Sequence, residues 1–571
     1  MKKHFLTVLI SVVAIGYGCQ QKEDNPKQNT EFDNGSNVFF PELSETVINN
    51  LELLGKLWGF LKYHHPEIGK GEYNWDYELF RILPLYLNTK DIQERDKALL
   101  DWINKFGSIP ICANCRETSS SAYLKPNLLW AQNSNMSDDL KMKIQEIYSN
   151  RHQGKHYYIS MVPSVGNPVF SNENPYQNMY YPDAGFRLLA LYKYWSLIQY
   201  FFPNKYITDK NWDNVLKEYI PVFLSAKNRL EYELAAIQII GEINDTHANL
   251  SGGGYEIAAL RGSTYAPFRV WFIEGKLVVT DYYNEALTQI AGVEIGDVIT
   301  HINGESIEFI VDSLKKFYPA SNEAARLRDI SFDLLRSNKN SISITCNSSG
   351  QKEIQLYPDY MLSRYGSHKV NTSEKCYQLL DRNIGYITLA TIKTEDIAGI
   401  KLFFKDTKGV IIDIRNYPST FVPFLLGSYF VSNSTPFVKF TEGNPNNPGE
   451  FTFTPALSVS PSGETYQGKL VVIVNEVTQS QAEYTSMAFR AGKNTTVIGS
   501  TTAGADGNVS EIFLPGGLRT MISGIGVYYP DGTPTQRVGI IPDIWIEPTI
   551  NGIKQGRDEL LEKAIAIINE E

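Results

Sequence analysis

The sequence predicts a multidomain α+β chain: a helical N-terminal domain of two related units, a small β domain, and an α/β core at the C-terminal end. Three observations carry that expectation. The first is an internal repeat, in which Trp58, Tyr63, Pro66, Asn74, Trp75 and Asp76 recur as Trp195, Tyr200, Pro203, Asn211, Trp212 and Asp213, always 137 residues on. The second is a change, from about residue 262 to 358, to short β-rich runs such as 268–272, 276–280 and 341–345. The third is a set of apolar strands, 410–414 with its single Asp413 and the unbroken run 470–474 among them, that alternate with helical segments after residue 376.

Taken in order, residues 1–19 place Met1-Lys2-Lys3-His4 before an apolar run from Phe5 to Ile15 and small residues leading to Cys19. A basic start, an apolar stretch too short to span a bilayer and a cysteine after small residues read as an export signal, with Cys19 as a bacterial lipid anchor. Plain secretion is the alternative, because Gly16 stands where such signals carry a larger aliphatic residue. Residues 20–40, polar and without periodicity, read as a flexible tether.

Residues 41–258 form the helical domain, each unit having an apolar stripe that stops at a proline. The second unit ends in Asp245-Thr246-His247-Ala248, and the first has Pro110 where the second has His247. A structural duplication needs no histidine in one copy only, so the asymmetry favours a task for His247 over a surface or capping role. Cys112 and Cys115 lie in a Cys-x-x-Cys without a second pair, which reads first as a local disulfide, then as a redox motif, then as zinc. Residues 262–358 form the β domain, and residues 376–571 the core.

Within the core, Leu470 to Val474 is a buried strand, and a helix begins at Ser480 and ends before Gly492. Ser480 thus sits at a strand-to-helix turn, where free N–H groups and the helix dipole favour a developing oxyanion. Ser480 and Glu483 also make a capping box, so cap and nucleophile are both open from this stretch alone. A long hairpin is expected from Met521 to Gln536, with turns at Gly524 and Asp531-Gly532, and a final helix from Arg557 to Asn569.

With 43% hydrophobic residues, 20% charged residues and a net charge of −10, composition excludes disorder and a basic nucleic-acid binder. Neither a phosphate loop, a metal cluster nor a dinucleotide fingerprint is present, so no cofactor or metal is expected.

Gly296-Asp-Val-Ile-Thr-His-Ile-Asn-Gly304 resembles the signature of a PDZ domain, which implies a groove that takes an extended peptide, such as a polypeptide C-terminus, by strand addition. Asp413-Ile-Arg415-Asn416-x-Pro418, Ser480-Gln-Ala-Glu483 and Gly539-Ile-x-Pro542-Asp543, in that order after a PDZ-like segment, are similar to the tail-specific (C-terminal processing) serine peptidases and their tricorn-core branch. The resemblance covers roughly residues 41–570. It implies a ClpP/crotonase-like core and a polypeptide substrate cleaved by Ser480. Processing peptidases pair the serine with a lysine, but Gly499 to Gly507 holds none, whereas Thr246-His247 matches the Ser-His pair of the tricorn branch. The resemblance therefore makes His247 the base, and the N–H groups of Gln481 and Ser419 the oxyanion donors. Gln536 stands where that branch has an orienting glutamate, with Thr246 or Asp245 as substitutes for it. Retinoid-binding relatives on the same core supply the alternative, a catalytically silent peptide- or hydrophobic-ligand-binding protein, and a scaffold is the third reading.

Overall fold

The computed structural model describes residues 29–570 except 367 and 372; Cys19 and the expected signal lie outside the described residues. Of the expected tether, residues 32–38 are packed on the helices. Phe32 is buried against Tyr77 and Phe80, with ring centroids 5.3 and 5.4 Å apart, and Ser36 donates from N and Oγ to Asp183 at 2.6 and 2.7 Å. An aromatic side chain and two charge-assisted hydrogen bonds outweigh the entropy of a free tail here.

In the N-terminal half, helix Glu45–His64 packs on Ala184–Phe201, and each carries a tryptophan that meets the first residue of a later helix. Trp58 Nε1 donates to Trp75 O and Trp75 Nε1 to Trp58 O, both at 3.1 Å. Trp195 and Trp212 repeat the exchange at 2.9 and 3.0 Å. Each indole thus buries its rings while its N–H is satisfied. Asn74 and Asn211 cap the second helices, Trp75–Leu87 and Trp212–Ser225, which contain Pro84 and Pro221.

The β-rich segment is an antiparallel sheet in the order Gly350–Gln355, Ser341–Cys346, Val298–Ile302, Lys276–Tyr282, Phe268–Ile273. Asn303 and Gly304, both at positive φ, turn Val298–Ile302 into its short partner Glu305–Ser306. Helix Glu323–Asp333 covers the edge strand Phe268–Ile273.

The core sheet runs Tyr377–Leu380, Ile384–Thr388, Gly409–Asp413, Lys469–Val474, Thr495–Gly499, Ile544–Trp545, parallel except for the first pair. Helices on both faces explain the unbroken apolar run. Leu470, Val472 and Val474 pack with helix Gln481–Arg490, whereas Val471 and Ile473 pack with Glu559–Asn569.

The hairpin differs from expectation. Its strands are Val509–Leu514 and Leu518–Ser523, turned by Pro515-Gly516-Gly517, with both glycines at positive φ, so the main reversal precedes Met521. The expected reversal at Asp531-Gly532 does form, with Tyr528 bridging Pro534. Ile512, Leu514, Leu518 and Ile522 are buried in the helical half, not in the core that the hairpin leaves. Among the described residues no helix is long and apolar enough to cross a membrane.

Candidate active site

Lys469–Val474 delivers the chain to a loop, Asn475 to Gln479, and then to Ser480 at the start of helix Gln481–Arg490. Ser480 has φ 59° and ψ −122°. A non-glycine residue in this region costs about 1–3 kcal/mol and persists only where the surroundings impose it. Here they do. The Ser480 N–H donates to Ala505 O at 2.9 Å and Glu483 Oε2 at 3.1 Å, while Ser480 O accepts from Tyr484 N at 3.0 Å. A sharp strand-to-helix turn of this kind lifts a side chain out of the backbone around it, the geometry of a nucleophile elbow. The Gln481 N–H, first in the helix, meets no acceptor among the described residues.

Glu483 completes the capping box and does more than cap. Fully buried, it also accepts from Gly504 N at 2.8 Å, Ala505 N at 3.1 Å and the Thr502 hydroxyl. Burial pushes its carboxyl up to about 7 despite those four donors. Asp506, buried beside it, is raised well above the usual carboxylate range by burial and by Glu483. Burial raises the pKa of the Tyr417 hydroxyl, and its interaction with the nearby Ser480 side chain works against that rise. Sequence reasoning missed Tyr417, since nothing in the spacing of that turn singles it out.

His247 lies in the segment after helix Arg229–Gly241. Its Nδ1 is 2.9 Å from Ser523 Oγ and 3.7 Å from Asp245 Oδ1. The buried Asp245 accepts from His247 N at 3.0 Å, Ser523 N at 2.6 Å and Ser523 Oγ at 3.0 Å. Burial lowers the His247 pKa; Asp245 raises it and Arg328 lowers it again. Arg328 itself donates to Gln479 Oε1 at 3.0 Å and Glu476 O at 2.9 Å, immediately before Ser480. No hydrogen bond joins His247 to Ser480 among the described residues, but one segment holds both: Thr246 Oγ1 donates to Ala503 O at 3.0 Å, and Ser480 N to Ala505 O.

The remaining expected residues sort as follows. Thr246 N donates to Ser321 Oγ at 2.8 Å and Thr246 Oγ1 accepts from Ser321 N at 2.9 Å, so its side chain fastens the loop, not the imidazole. Gln536 is buried; its Nε2 reaches Ser321 Oγ at 3.4 Å and its Oε1 has no partner, so no bond to His247 forms. Ser419, expected as an oxyanion donor, gives its N–H to Leu389 O at 3.0 Å and its hydroxyl to Ile392 O at 2.6 Å, because the turn after Pro418 folds back on that strand end. Asp413 is structural: burial would raise its pKa, but Arg415 at 2.6 Å outweighs this and holds it at about 2, and Asp558 adds a second carboxylate to the arginine. Cys112 and Cys115 form a disulfide, and Cys346 and Cys376 are buried thiols. No group of three or more ligating side chains suited to a metal occurs among the described residues.

Residues 383–546, which contain both the Ser480 turn and the hairpin, match Peptidase family S41. The C-terminal core is an S41 peptidase domain. Solved structures resemble the chain in fold. CPAF complexed with lactacystin is 14% identical, with a TM-score of 0.54 over 68% of this chain and 99% of that one. Mature CPAF gives 14%, 0.53, 68% and 98%. The photosystem II D1 C-terminal processing protease gives 17% and 0.37 over 65% of this chain and 98% of that one. At these identities the CPAF likeness bears on fold: a mixed α+β multidomain chain around an S41 core. No curated protein matches the chain.

Proposed function

We propose that the chain is an exported serine peptidase in which Ser480 attacks an extended or unfolded polypeptide and His247 is its general base. The observation that carries the reading is the Ser480 backbone, held at φ 59° between a buried strand and a helix N-terminus in an S41 core. A serine hydroxyl is a weak nucleophile at neutral pH, and His247, kept neutral by burial, accepts its proton at Nε2 while Nδ1 is engaged elsewhere. The acyl-enzyme forms as the protonated imidazole returns the proton to the leaving amine, and water then releases the acid by the same path. The Gln481 N–H, without an acceptor among the described residues and at the positive end of a helix, stabilises the oxyanion.

The β domain is read as a PDZ-like module that feeds substrate by adding its strand, a free C-terminus among the candidates, to the edge beside helix Glu323–Asp333. The Cys112–Cys115 disulfide supports export to an oxidising compartment, and Cys19 is the proposed lipid anchor in the bacterial cell envelope. The silent-binder reading draws on one observation, that Ser419 N–H already donates to Leu389 O and leaves one backbone oxyanion donor in place.

The test is cleavage of casein by the chain lacking residues 1–19, beside Ser480→Ala and His247→Ala, with fluorophosphonate labelling of each. Cleavage and labelling by the parent, both lost in the variants, supports the peptidase. An inert parent that fluorophosphonate leaves unlabelled overturns it in favour of the silent binder.

A further inference from the structure

We propose that Ser523 and Asp245, and not Gln536, position His247, the Ser523 hydroxyl relaying the orienting hydrogen bond from the imidazole to the buried carboxylate. This rests on the peptidase reading of Ser480 and His247. The direction of each bond follows from the donor inventory. A carboxylate only accepts, so the Ser523 hydroxyl proton points to Asp245 Oδ1 at 3.0 Å. Its oxygen is then an acceptor for His247 Nδ1 at 2.9 Å, which places the ring proton on Nδ1 and leaves Nε2 with a lone pair. During attack one proton moves, from Ser480 Oγ to His247 Nε2; the two relay protons stay where they are. The imidazolium so formed has the Asp245 charge 3.7 Å from Nδ1, with Ser523 fully buried beside it.

The relay is held from both ends. Asp245 Oδ2 takes the Ser523 N–H at 2.6 Å, and Arg519, four residues earlier on the same strand, accepts from Ser251 N at 2.8 Å and donates to Gly252 O at 3.0 Å. Strand Leu518–Ser523 and the 245–252 segment therefore run in fixed register, with the hairpin anchored in the helical half by Ile512, Leu514 and Leu518. Of the three positions offered for orienting, Gln536 and Thr246 meet Ser321 and not the imidazole, which leaves Asp245.

The experiment uses the chain lacking residues 1–19 with 15N-labelled histidine, His247 being assigned by the signal missing in His247→Gln. The Nδ1–H tautomer is expected in the parent, in Gln536→Ala and in Ser523→Thr, and a shift toward Nε2–H in Ser523→Ala. On a casein-derived peptide, Ser523→Ala is expected to lower kcat about tenfold or more with KM unchanged, Ser523→Thr to restore it, and Gln536→Ala to leave it alone. Asp245→Asn is expected to move the acid limb of kcat/KM to lower pH, since Asp245 raises the imidazole pKa. An Nε2–H tautomer in the parent, a Ser523→Ala protein with parental tautomer and kcat, or a Gln536→Ala protein that loses the Nδ1–H tautomer overturns the proposal. A parent with the expected tautomers that cleaves nothing supports the relay and sinks the peptidase reading instead.

Discussion

Acid should loosen the helical half of this protein through three buried histidines. Burial pushes His64 and His156 down to about 3 and His65 to about 4. All three side chains keep a buried Nε2 without a partner among the described residues. Their folded-state values lie below the ordinary 6.5, so the unfolded chain takes up protons first. The stability they carry is therefore complete above about pH 6.5 and falls as the pH drops toward 3–4. At pH 5 each histidine is 1.5 units below its unfolded value, which at about 1.4 kcal/mol per unit makes roughly 2 kcal/mol each, or about 6 kcal/mol for three acting independently. That is comparable with the whole stability of many domains. His64→Phe isolates one share. The ring stacks on Phe60 at 4.5 Å and meets Tyr200 at 5.2 Å, contacts a phenyl ring can keep, while the Nδ1 bond to Phe60 O at 2.9 Å is lost. At pH 7.5 the variant is expected to match the parent within about 1 kcal/mol, as a lost hydrogen bond offsets the removal of an unpartnered nitrogen. Between pH 7.5 and 5.0 it should lose about 2 kcal/mol less than the parent. Urea unfolding followed by tryptophan fluorescence reads this region, because Trp58, Trp75, Trp102, Trp195 and Trp212 all lie in its core. An identical loss in parent and variant between the two pH values would refute the reasoning.

Three further outcomes follow from the site. Arg328→Gln removes a charge that holds the His247 pKa down, so the acid limb of kcat/KM should move to higher pH and activity at pH 6 should fall; an unmoved limb contradicts the assignment of His247 as base. Ser480→Gly should be about 1–2 kcal/mol more stable than Ser480→Ala in urea, with both inert, because glycine relaxes the φ 59° turn. Glu483→Ala leaves the N–H groups of Gly504 and Ala505 and the Thr502 hydroxyl without their acceptor, while the Ser480 N–H keeps Ala505 O, and should cost about 3 kcal/mol or more in thermal or urea unfolding, whereas Glu483→Gln at pH 6, where the carboxyl is already largely protonated, should cost much less.

What the sequence made legible was local chemistry. The β-branched run at 470–474 and the Ser480-x-x-Glu483 spacing required only periodicity and capping rules, and the strand and helix lie where those rules put them. The start of the hairpin is not legible, because Pro515-Gly516-Gly517 competes with several other glycine turns downstream, and single-sequence turn signals do not rank them. Ser523 left no trace at all. Its contact with His247 spans 276 residues and depends on how a hairpin docks into another part of the chain, which no spacing rule encodes. Gln536 was drawn in by its place relative to the Pro542-Asp543 turn, yet the direction of a side chain is set by packing, here toward Ser321.

Placing the base on one part of the chain and the nucleophile on another makes their alignment a problem of register between folded units, and the hairpin answers it mechanically. Its apolar side chains enter the helical core, whereas strand Thr495–Gly499 before it lies in the S41 sheet and Thr502 and Gly504 are held by Glu483. The same polypeptide thus carries Ser523 to His247 and Ala505 to Ser480 within 18 residues. A shift of the helical half relative to the core would have to break the Arg519 ladder to residues 251 and 252 or expose Leu514 and Leu518, each a large cost against a marginal total. The strained turn at Ser480 fits this economy of parts: the carboxylate that over-determines it, Glu483, fixes Gly504 and Ala505 as well, so the local geometry of the nucleophile and the path of the connecting segment are set by one buried group.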